Sequence, residues 1–308
     1  MLYLSEESID KIFSYHDFIP YLKSFLTTSI HCPARNHLDL PETEKEKPGT
    51  LLLMPAWNES FLGVKNVVVL PDNAPYPAVQ AQYQLYDRNN GCPLMACDGA
   101  RLTVLRTAAV SGLASVFLRH KDADSLLVMG TGSLCPEIIK AHHAMYAPQH
   151  IKVWGRTFAK AQYISSHMKE QGIQVDAVKT LSTGLLQADV AVAATHAMEP
   201  FIYSKYLKKN VFLDLIGSYK PEMREAESSC FTDAAIYVDT IDALQESGDL
   251  LIPMQEGIIQ RISILGTLPQ MCSGEVTITD HPRRIFKSVG MASADLAIAS
   301  YLYNKLPK

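Results

Sequence analysis

The chain has 308 residues, of which 47% are hydrophobic and 19% charged, and its formal net charge is −4. This composition is typical of a globular protein with a sizeable core, and the length predicts two domains, since one domain usually holds about 100–200 residues. The lysines and arginines form no basic stripe, which argues against a nucleic-acid-binding protein.

The N-terminal residues 1–13 contain three acids and no basic start or apolar run, so they do not predict a secretory signal. The apolar stretches Val211–Gly217 and Ala292–Tyr303 are too short or too interrupted to reach the roughly 18–20 residues that span a bilayer. We therefore expect a cytoplasmic protein without a membrane segment. No C-x-x-C pair is present, and His142-His143, interpreted as a helix surface, lacks metal-ligand spacing, so no metal site is expected.

The first hundred residues predict helices and a mainly antiparallel sheet. Residues 3–28 predict a short strand and a helix capped by Ser5, and Thr103 is expected to cap a long helix over 104–120. Short apolar or alternating runs, separated by turn residues, predict strands over 51–54, 64–70, 80–86 and 94–97.

After residue 124 apolar strands alternate with helices, which predicts a parallel sheet covered on both faces. Strands are expected at 125–129, 151–154, 175–178, 189–194, 211–216 and 235–238. Because strand–helix–strand crossovers are right-handed, this order leads to a doubly wound α/β fold. The predicted domains are residues 108–284, and residues 1–107 together with residues 285–308, whose helix packs back on the first domain.

The strongest local motif is the run of a strand into Gly130-Thr131-Gly132-Ser133-Leu134-Cys135, followed by a helix. In such a motif the first glycine allows a tight turn, the second lets the backbone approach a pyrophosphate, and a small last residue lets helix and strand pack closely. The helix N-terminus then offers N–H groups to the phosphates. The sequence therefore predicts a dinucleotide on residues 130–134; the alternative is a packing pair of glycines in another α/β protein.

The end of the second strand discriminates NAD from NADP, because NAD enzymes place an acid there for the ribose 2′-hydroxyl. Residues 153–157 contain no acid. Arg156 and Thr157 instead offer a cation and a hydroxyl, which suit a 2′-phosphate. We therefore predict NADP as the preferred cofactor, with NAD possible, unless Arg156 is only a solvated residue at a helix start.

Three cations outside the nucleotide domain are Arg35, Lys65 and Arg106, each next to a predicted strand end or helix start. Arginine can hold a carboxylate through two parallel hydrogen bonds. On composition alone each cation is more often an ordinary surface charge, and sequence spacing does not decide between the two interpretations.

The sequence resembles the ornithine cyclodeaminase and mu-crystallin family nearly from end to end. The matching blocks are Leu53-Met54-Pro55-Ala56, Asp98-Gly99-Ala100 with Leu102-Thr103, Arg106-Thr107-Ala108-Ala109, Gly130-Thr131-Gly132, Ile216-Gly217-Ser218, Glu246-Ser247-Gly248-Asp249-Leu250 and Phe286-Lys287-Ser288-Val289-Gly290. The resemblance implies a homodimer with a middle Rossmann domain and a substrate-binding and dimerisation domain made from the N-terminal part and the last helix. It also implies that Arg35, Lys65 and Arg106 hold a substrate carboxylate. Lys65 would lie near the reacting carbon and Val289 would close over the nicotinamide.

Two departures separate the chain from true cyclodeaminases. Those enzymes carry an Asp in a G-G-D-x-P-G-K block, where Tyr219 stands here, and a Glu before the Leu-Met-Pro stretch, where Leu52 stands. The resemblance implies that these acids activate water or relay protons and bind the substrate's amino groups. Ornithine deamination would lack its base, because a tyrosine with an ordinary pKa of about 10 is a poor base at neutral pH.

Without these two acids, the expected site still has cations that bind a carboxylate and a nicotinamide next to them. Such a site suits the reduction of a cyclic imine acid. The blocks around Gly217, Leu251–Met254 and Pro55–Asn58 look like reductases of Δ1-pyrroline-2-carboxylate and Δ1-piperideine-2-carboxylate, which form L-proline and L-pipecolate. An imine that arrives protonated needs no strong general acid. It needs its carboxylate held and its C2 within about 3–3.5 Å of the hydride. We expect an NAD(P)H-dependent ketimine reductase with Lys65 and Arg106 as catalytic residues.

Three alternatives stay open: an ornithine cyclodeaminase, an amino-acid dehydrogenase such as one acting on alanine, and a non-catalytic NADPH-binding protein like the crystallin. Thr195 and Ser218 follow predicted strands at their carboxyl ends, so they are further cofactor candidates. Asp295, in the first turn of the last helix, is interpreted as a partner of the helix dipole. Asp98 is interpreted either as a turn residue or as a group that orients the cations.

Overall fold

The computed structural model describes residues 2–42, 48–70 and 73–307. The chain forms two compact units, one of residues 1–107 with 291–308 and one of residues 108–290. The predicted return to the first unit at residue 285 falls inside the strand Arg283–Lys287, which pairs within the parallel sheet. The second boundary therefore lies beyond the end of this strand, after Gly290.

The first part of the chain builds a six-stranded sheet. Its elements are β1 (Leu2–Leu4), α1 (Glu6–Ile12), α2 (Tyr15–Phe25), β2 (Asn36–Leu40), β3 (Gly49–Trp57), β4 (Phe61–Val69), β5 (Val79–Asp87), β6 (Pro93–Asp98) and α3 (Gly99–Leu118). The strand order is β1-β6-β5-β4-β3-β2, with β1 parallel to β6 and the other neighbours antiparallel. The one helix expected over 3–28 is two helices, capped by Ser5 and Ser14.

Helix α3 begins at Gly99 rather than at residue 104. The Asp98 carboxylate accepts the Arg101 N–H at 2.8 Å, as an N-cap does. The Thr103 hydroxyl lies inside the helix and donates to the Gly99 carbonyl at 2.7 Å. The predicted cap at Thr103 is therefore wrong. Of the two interpretations of Asp98, a turn residue or a group that orients the cations, the hydrogen bond supports the turn residue.

Within the described residues, α3 is the one helix that is long and apolar enough to cross a membrane. The sequence search for apolar stretches missed it. Of its most apolar window, 72% is buried inside the protein.

The elements of the second unit alternate as predicted. They are β7 (Ser125–Met129), α4 (Leu134–Tyr146), β8 (His150–Trp154), α5 (Phe158–Glu170), β9 (Asp176–Ala177), α6 (Leu181–Gln187), β10 (Val190–Ala193), β11 (Val211–Leu215), β12 (Ala235–Val238), α7 (Ala243–Glu246), α8 (Gly248–Gln255), β13 (Ile264–Thr267), α9 (Leu268–Ser273) and β14 (Arg283–Lys287). Short 3-10 turns occur at Ser204–Tyr206, Ser228–Cys230 and Arg261–Ser263.

The sheet of this unit is parallel throughout, in the order β13-β12-β14-β11-β10-β7-β8-β9. The chain first builds outward from β7 to β8 and β9, and then returns to place β10 on the other side of β7. This reversal is the switch point of a doubly wound fold, and ligands bind at the carboxyl ends of the strands there. The predicted fold class is confirmed; β13 and β14 were not predicted.

Residue His142 lies in the core of this unit, not on the surface of α4. Its Nε2 is 2.9 Å from the Ser111 hydroxyl oxygen, which also donates to Asp214. Burial, with the charge of Arg119, lowers the pKa of His142 to about 3, so the ring is a neutral core group. The surface interpretation holds for its exposed neighbour His143 alone.

The chain returns to the first unit in α10 (Ala292–Lys305). This helix is buried from Ala292 to Leu302 and packs against β4, β3 and α2. Its apolar residues explain the packing, and one fully buried acid, Asp295, stands among them.

Candidate active site

The glycine loop connects β7 to α4 at the switch point. Gly130 has φ +124°, and a Cβ there would lie 2.4 Å from the Ala194 carbonyl oxygen, so only glycine fits. A Cβ on Gly132 would meet nothing within 4 Å, so this side of the loop is open to a ligand. Ser133 makes no side-chain cap and Leu134 starts the helix, so the helix N-terminus is available to an anion. The cradle fits the phosphates of a dinucleotide.

The end of β8 carries the residues predicted to read the ribose. Arg156 and Thr157 are both exposed, and Thr157 precedes α5 without a side-chain cap bond. No hydrogen bond or ion pair joins Arg156 to any residue that the structure describes. A Cβ on Gly155 would lie 2.6 Å from the methyl of Thr131, so this segment and the glycine loop approach closely. A cation and a hydroxyl are thus free for a phosphate beside the loop.

Thr195, Ser218 and Val289 follow the carboxyl ends of β10, β11 and β14, but their polar groups bond within the protein. The Thr195 hydroxyl donates to Glu225 Oε1 at 2.7 Å, and the buried Ser218 hydroxyl donates to a backbone carbonyl at 2.6 Å. The Val289 N–H donates to Asp239 Oδ2 at 3.0 Å. Their side chains therefore shape the loops at this edge, and direct contact with a cofactor stays a prediction for all three.

A buried charge cluster lies in the first unit. Lys65 on β4 places its Nζ 2.7 Å from Asp295 Oδ2, and Arg106 on α3 places its Nε 2.9 Å from Asp295 Oδ1. The three residues are 2%, 6% and 0% exposed. Arg35, which precedes β2, is close enough to act on the charge of Lys65. Two of the three cations predicted from the sequence, Lys65 and Arg106, are therefore brought together at one carboxylate.

Burial and charge determine the protonation of this cluster. Burial lowers the pKa of Lys65 to about 8; Arg106 and Arg35 lower it further, and Asp295 opposes them. Lys65 and Arg106 share the carboxylate of Asp295, so these two cations outnumber their common carboxylate in a place with little water. Buried charges are stable only when they are paired, so this cluster is suited to an added carboxylate.

Tyr83 adds a neutral donor to the cluster. It lies opposite Lys65 on β5 and is 1% exposed. A Cβ at Gly63 would lie 2.0 Å from the Tyr83 hydroxyl oxygen, so glycine at this position makes room for the phenol. Burial, with the charge of Asp295, raises the pKa of Tyr83 well above its ordinary value. In the described parts of the chain this hydroxyl has no hydrogen-bond partner, so it can donate to a ligand.

Sequence reasoning missed two members of this cluster, Asp295 and Tyr83. Asp295 was interpreted as a helix-dipole partner, yet its carboxylate faces Lys65 and Arg106. An acid inside a helix that carries no other charge for three turns was the available signal. Tyr83 gave no signal, because strand register alone places it beside Lys65.

At the two positions where cyclodeaminases carry acids, this chain has Tyr219 and Leu52. Tyr219 lies in the loop after β11, is 44% exposed, and packs edge-on against His196 with ring centroids 6.2 Å apart. Leu52 is a half-buried residue of β3 opposite Val67. Neither position supplies a base or an ammonium-binding acid.

A doubly wound parallel sheet with a glycine cradle at its switch point defines a dinucleotide-binding protein of the Rossmann class. A second unit with buried cations accompanies that sheet. The chain belongs to the ornithine cyclodeaminase/mu-crystallin family, whose model matches residues 4–308. The resemblance seen in the sequence is thereby confirmed.

Relatives of known sequence or structure extend over nearly the whole chain. It is 34% identical to an uncharacterised protein of Schizosaccharomyces pombe, over 98% of this chain and 96% of that protein. It is 31% identical to the Δ1-pyrroline-2-carboxylate reductase of Colwellia psychrerythraea, over 99% of each chain. The Thermococcus litoralis Δ1-pyrroline-2-carboxylate reductase, solved with NADH and L-proline, superposes with a TM-score of 0.90 at 28% identity, over 99% of this chain and 97% of that one.

Proposed function

We propose that this protein is an NAD(P)H-dependent reductase that converts Δ1-pyrroline-2-carboxylate or Δ1-piperideine-2-carboxylate to L-proline or L-pipecolate. The observation that carries the proposal is the buried cluster of Lys65, Arg106 and Asp295, in which cations outnumber the carboxylate. The glycine cradle and the relatives that reduce Δ1-pyrroline-2-carboxylate support it.

Arg106 is the principal carboxylate-binding group. Its Nε faces Asp295, and its terminal nitrogens make no hydrogen bond to the residues that the structure describes. A guanidinium held in this way presents two parallel donors, which match the two oxygens of a carboxylate. Arg35, half-buried at the edge of the cluster, adds a second cation to the same anion.

Lys65 supplies positive charge beside the reacting carbon. With a pKa of about 8 it is mostly protonated at neutral pH. Its ammonium strengthens carboxylate binding and shifts electron density of the substrate toward the carboxylate end. Tyr83 can donate a further hydrogen bond in the same cluster.

Reduction of a cyclic iminium needs one hydride and no further proton at nitrogen. When bound, the reduced nicotinamide supplies that hydride to C2. The C=N electron pair moves to nitrogen, and the product is the cyclic amino acid. The residues of this chain bind and orient the substrate, so the missing acids at Tyr219 and Leu52 are compatible with activity.

We further propose that NADPH is preferred to NADH, because Arg156 and Thr157 expose a cation and a hydroxyl where NAD enzymes carry an acid.

We also propose a homodimer formed through the first unit. Its edge strand β2 is exposed along its length, including Leu38 and Leu40, and such an edge is normally covered. Light scattering after size exclusion would test the mass; a monomer at micromolar concentration would contradict the dimer.

The function is tested by following NADPH and NADH oxidation with each cyclic imine acid, and ammonia release from ornithine in parallel. We expect reduction of at least one imine and no ammonia. A folded protein that binds cofactor and reduces neither imine would contradict the proposal and favour a cofactor-binding protein.

A further inference from the structure

The loop that follows β11 carries Gly217, Ser218 and Tyr219, and one buried carboxylate attaches it to the neighbouring loop. Glu225 is 0% exposed. Its Oε1 accepts the backbone N–H of Thr195 at 2.8 Å and the Thr195 hydroxyl at 2.7 Å. Its Oε2 accepts the N–H of Gly217 at 2.7 Å. A single side chain therefore joins the loop after β10 to the loop after β11.

The approach of these two loops is close enough to require glycine. A Cβ on Gly217 would lie 2.0 Å from the carbonyl oxygen of Thr195 and 2.4 Å from Glu225 Oε1. No side chain can enter that space without separating the loops. Glycine at 217 and the carboxylate at 225 are thus two parts of one arrangement.

Asp249, in the block Glu246-Ser247-Gly248-Asp249-Leu250, binds the backbone at Glu225. Asp249 Oδ1 accepts the backbone N–H groups of Glu225 at 2.8 Å and Ala226 at 3.0 Å. Asp249 Oδ2 lies 3.6 Å from the ammonium of Lys287, which donates to the Leu215 carbonyl at 2.8 Å. The block therefore fixes the backbone from which the Glu225 side chain projects.

The position of these loops in the sheet indicates which half of a dinucleotide they face. In a doubly wound fold the two halves of the cofactor lie on opposite sides of the switch point, with the adenosine ribose at the end of the second strand. That strand here is β8, so β10 and β11 lie on the nicotinamide side.

We propose that Glu225 is a positioning residue that sets the nicotinamide half of the cofactor site by joining Thr195 to Gly217. The inference rests on the cofactor binding in the proposed function, but not on its substrate. Glu225 acts through the two loops, and the adenosine half, held at β7 and β8, does not depend on it.

The test compares Glu225→Gln with the wild type in fluorescence titrations of NADH and calorimetric titrations of ADP-ribose, which lacks the nicotinamide. Glutamine has nearly the same shape but places an NH2 group against at least one donor. We expect NADH to bind about tenfold more weakly, as for the loss of a charge-assisted hydrogen bond, with a changed emission of the bound nicotinamide. ADP-ribose affinity should change by less than about twofold.

The control is Glu222→Gln, an exposed acid of the same segment, which should change neither titration. If Glu225→Gln does not fold, Thr195→Val removes one of the three donors and should weaken NADH about threefold with ADP-ribose unaffected. Equal weakening of both ligands, or unchanged NADH binding, would overturn the inference. A wild-type protein that binds NADH but reduces no cyclic imine would remove the proposed function and leave this inference in place.

Discussion

Each unit of the chain buries a charged network, and the two networks have opposite compositions. In the first unit, Lys65 and Arg106 share the carboxylate of Asp295, and the charge of Arg35 acts on Lys65. In the second unit, a single ammonium lies among several buried carboxylates. These are Lys287 with Asp214, Glu225, Asp239 and Asp249.

The difference shows which network needs a ligand. Three of the four carboxylates of the second unit accept backbone N–H groups: Glu225 and Asp249 as described above, and Asp239 from Val289, Gly290 and Thr240. These three carboxylates are held by the chain's own backbone and shape loops, although Asp249 Oδ2 and the neighbouring Asp214 Oδ1 accept no hydrogen bond from the described residues. In the first unit, the Tyr83 hydroxyl has no partner among the described residues, and positive charge is in excess. We therefore expect a ligand carboxylate to bind in that network.

In both networks, burial shifts pKa values in the direction that favours the neutral form of each group. It lowers the pKa of Lys65 to about 8 and raises the pKa of Asp214 and Glu225 to about 7. In both networks the oppositely charged partners and hydrogen bonds oppose this effect of burial. Removing one partner at a time therefore tests how far each network depends on its charge pairs.

The largest effect is expected for Asp295→Asn, which leaves two buried cations without their carboxylate. Breaking a buried pair in this way costs about 3–5 kcal/mol. We expect that loss in the free energy of unfolding, measured by urea denaturation. The control is Asp17→Asn, whose pair with Lys305 is half-exposed, so that solvent screens the pair and its loss should lower the free energy of unfolding far less. Equal losses in the two variants would mean that the cluster is not a stabilising unit.

Next in size is Arg106→Ala, which removes the proposed carboxylate-binding group. The loss of one partner of a desolvated charge pair costs about 2–5 kcal/mol, so kcat/KM for the cyclic imine should fall at least about thirtyfold, mainly through KM. Arg101→Ala is the matched control, on the same helix but paired with exposed Asp10. An unchanged KM in the folded Arg106 variant would remove this residue from the substrate site.

A feature of the fold could be predicted when the residues that produce it are close together in the sequence. The parallel strands were predicted because apolar runs such as Ser125–Met129 are local. Strand β14 was missed because its apolar Ile285-Phe286 pair is flanked by Arg283, Arg284 and Lys287, whose charges find partners only after folding.

In the candidate site too, only the features formed by neighbouring residues could be predicted from the sequence. The glycine loop lies within one turn of chain and was predicted from its residues, whereas Arg35, Lys65 and Arg106 were selected by resemblance. Asp295 reaches Lys65 across more than two hundred residues because α10 packs on β4. No local pattern contains that contact.

A smaller effect, the pH dependence of KM, tests the first network through Lys65. Its pKa is lowered to about 8, so the ammonium is charged below that pH and loses its proton as the pH rises through it. KM for the imine acid should therefore rise above about pH 8, by up to about tenfold per pH unit. In Lys65→Arg the cation stays charged at every accessible pH, so the rise should disappear. A wild-type KM that is flat between about pH 7 and 9.5 would show that Lys65 does not bind the carboxylate.

The smallest effect is expected at Arg156, which is exposed and so contrasts with the buried cations of the first unit. Arg156→Ala should lower the preference for NADPH over NADH about tenfold, measured as the ratio of kcat/KM values for the two cofactors. Lys160→Ala, an exposed cation one turn into α5, should leave the ratio unchanged. Because salt screens exposed charges over about 10 Å at 0.1 M, the Arg156 contribution should shrink as ionic strength rises, while the effect of Arg106→Ala should persist. A ratio that does not respond to Arg156→Ala would make Arg156 a solvated surface charge. The cofactor preference would then have to come from Thr157 or from the backbone of the glycine loop.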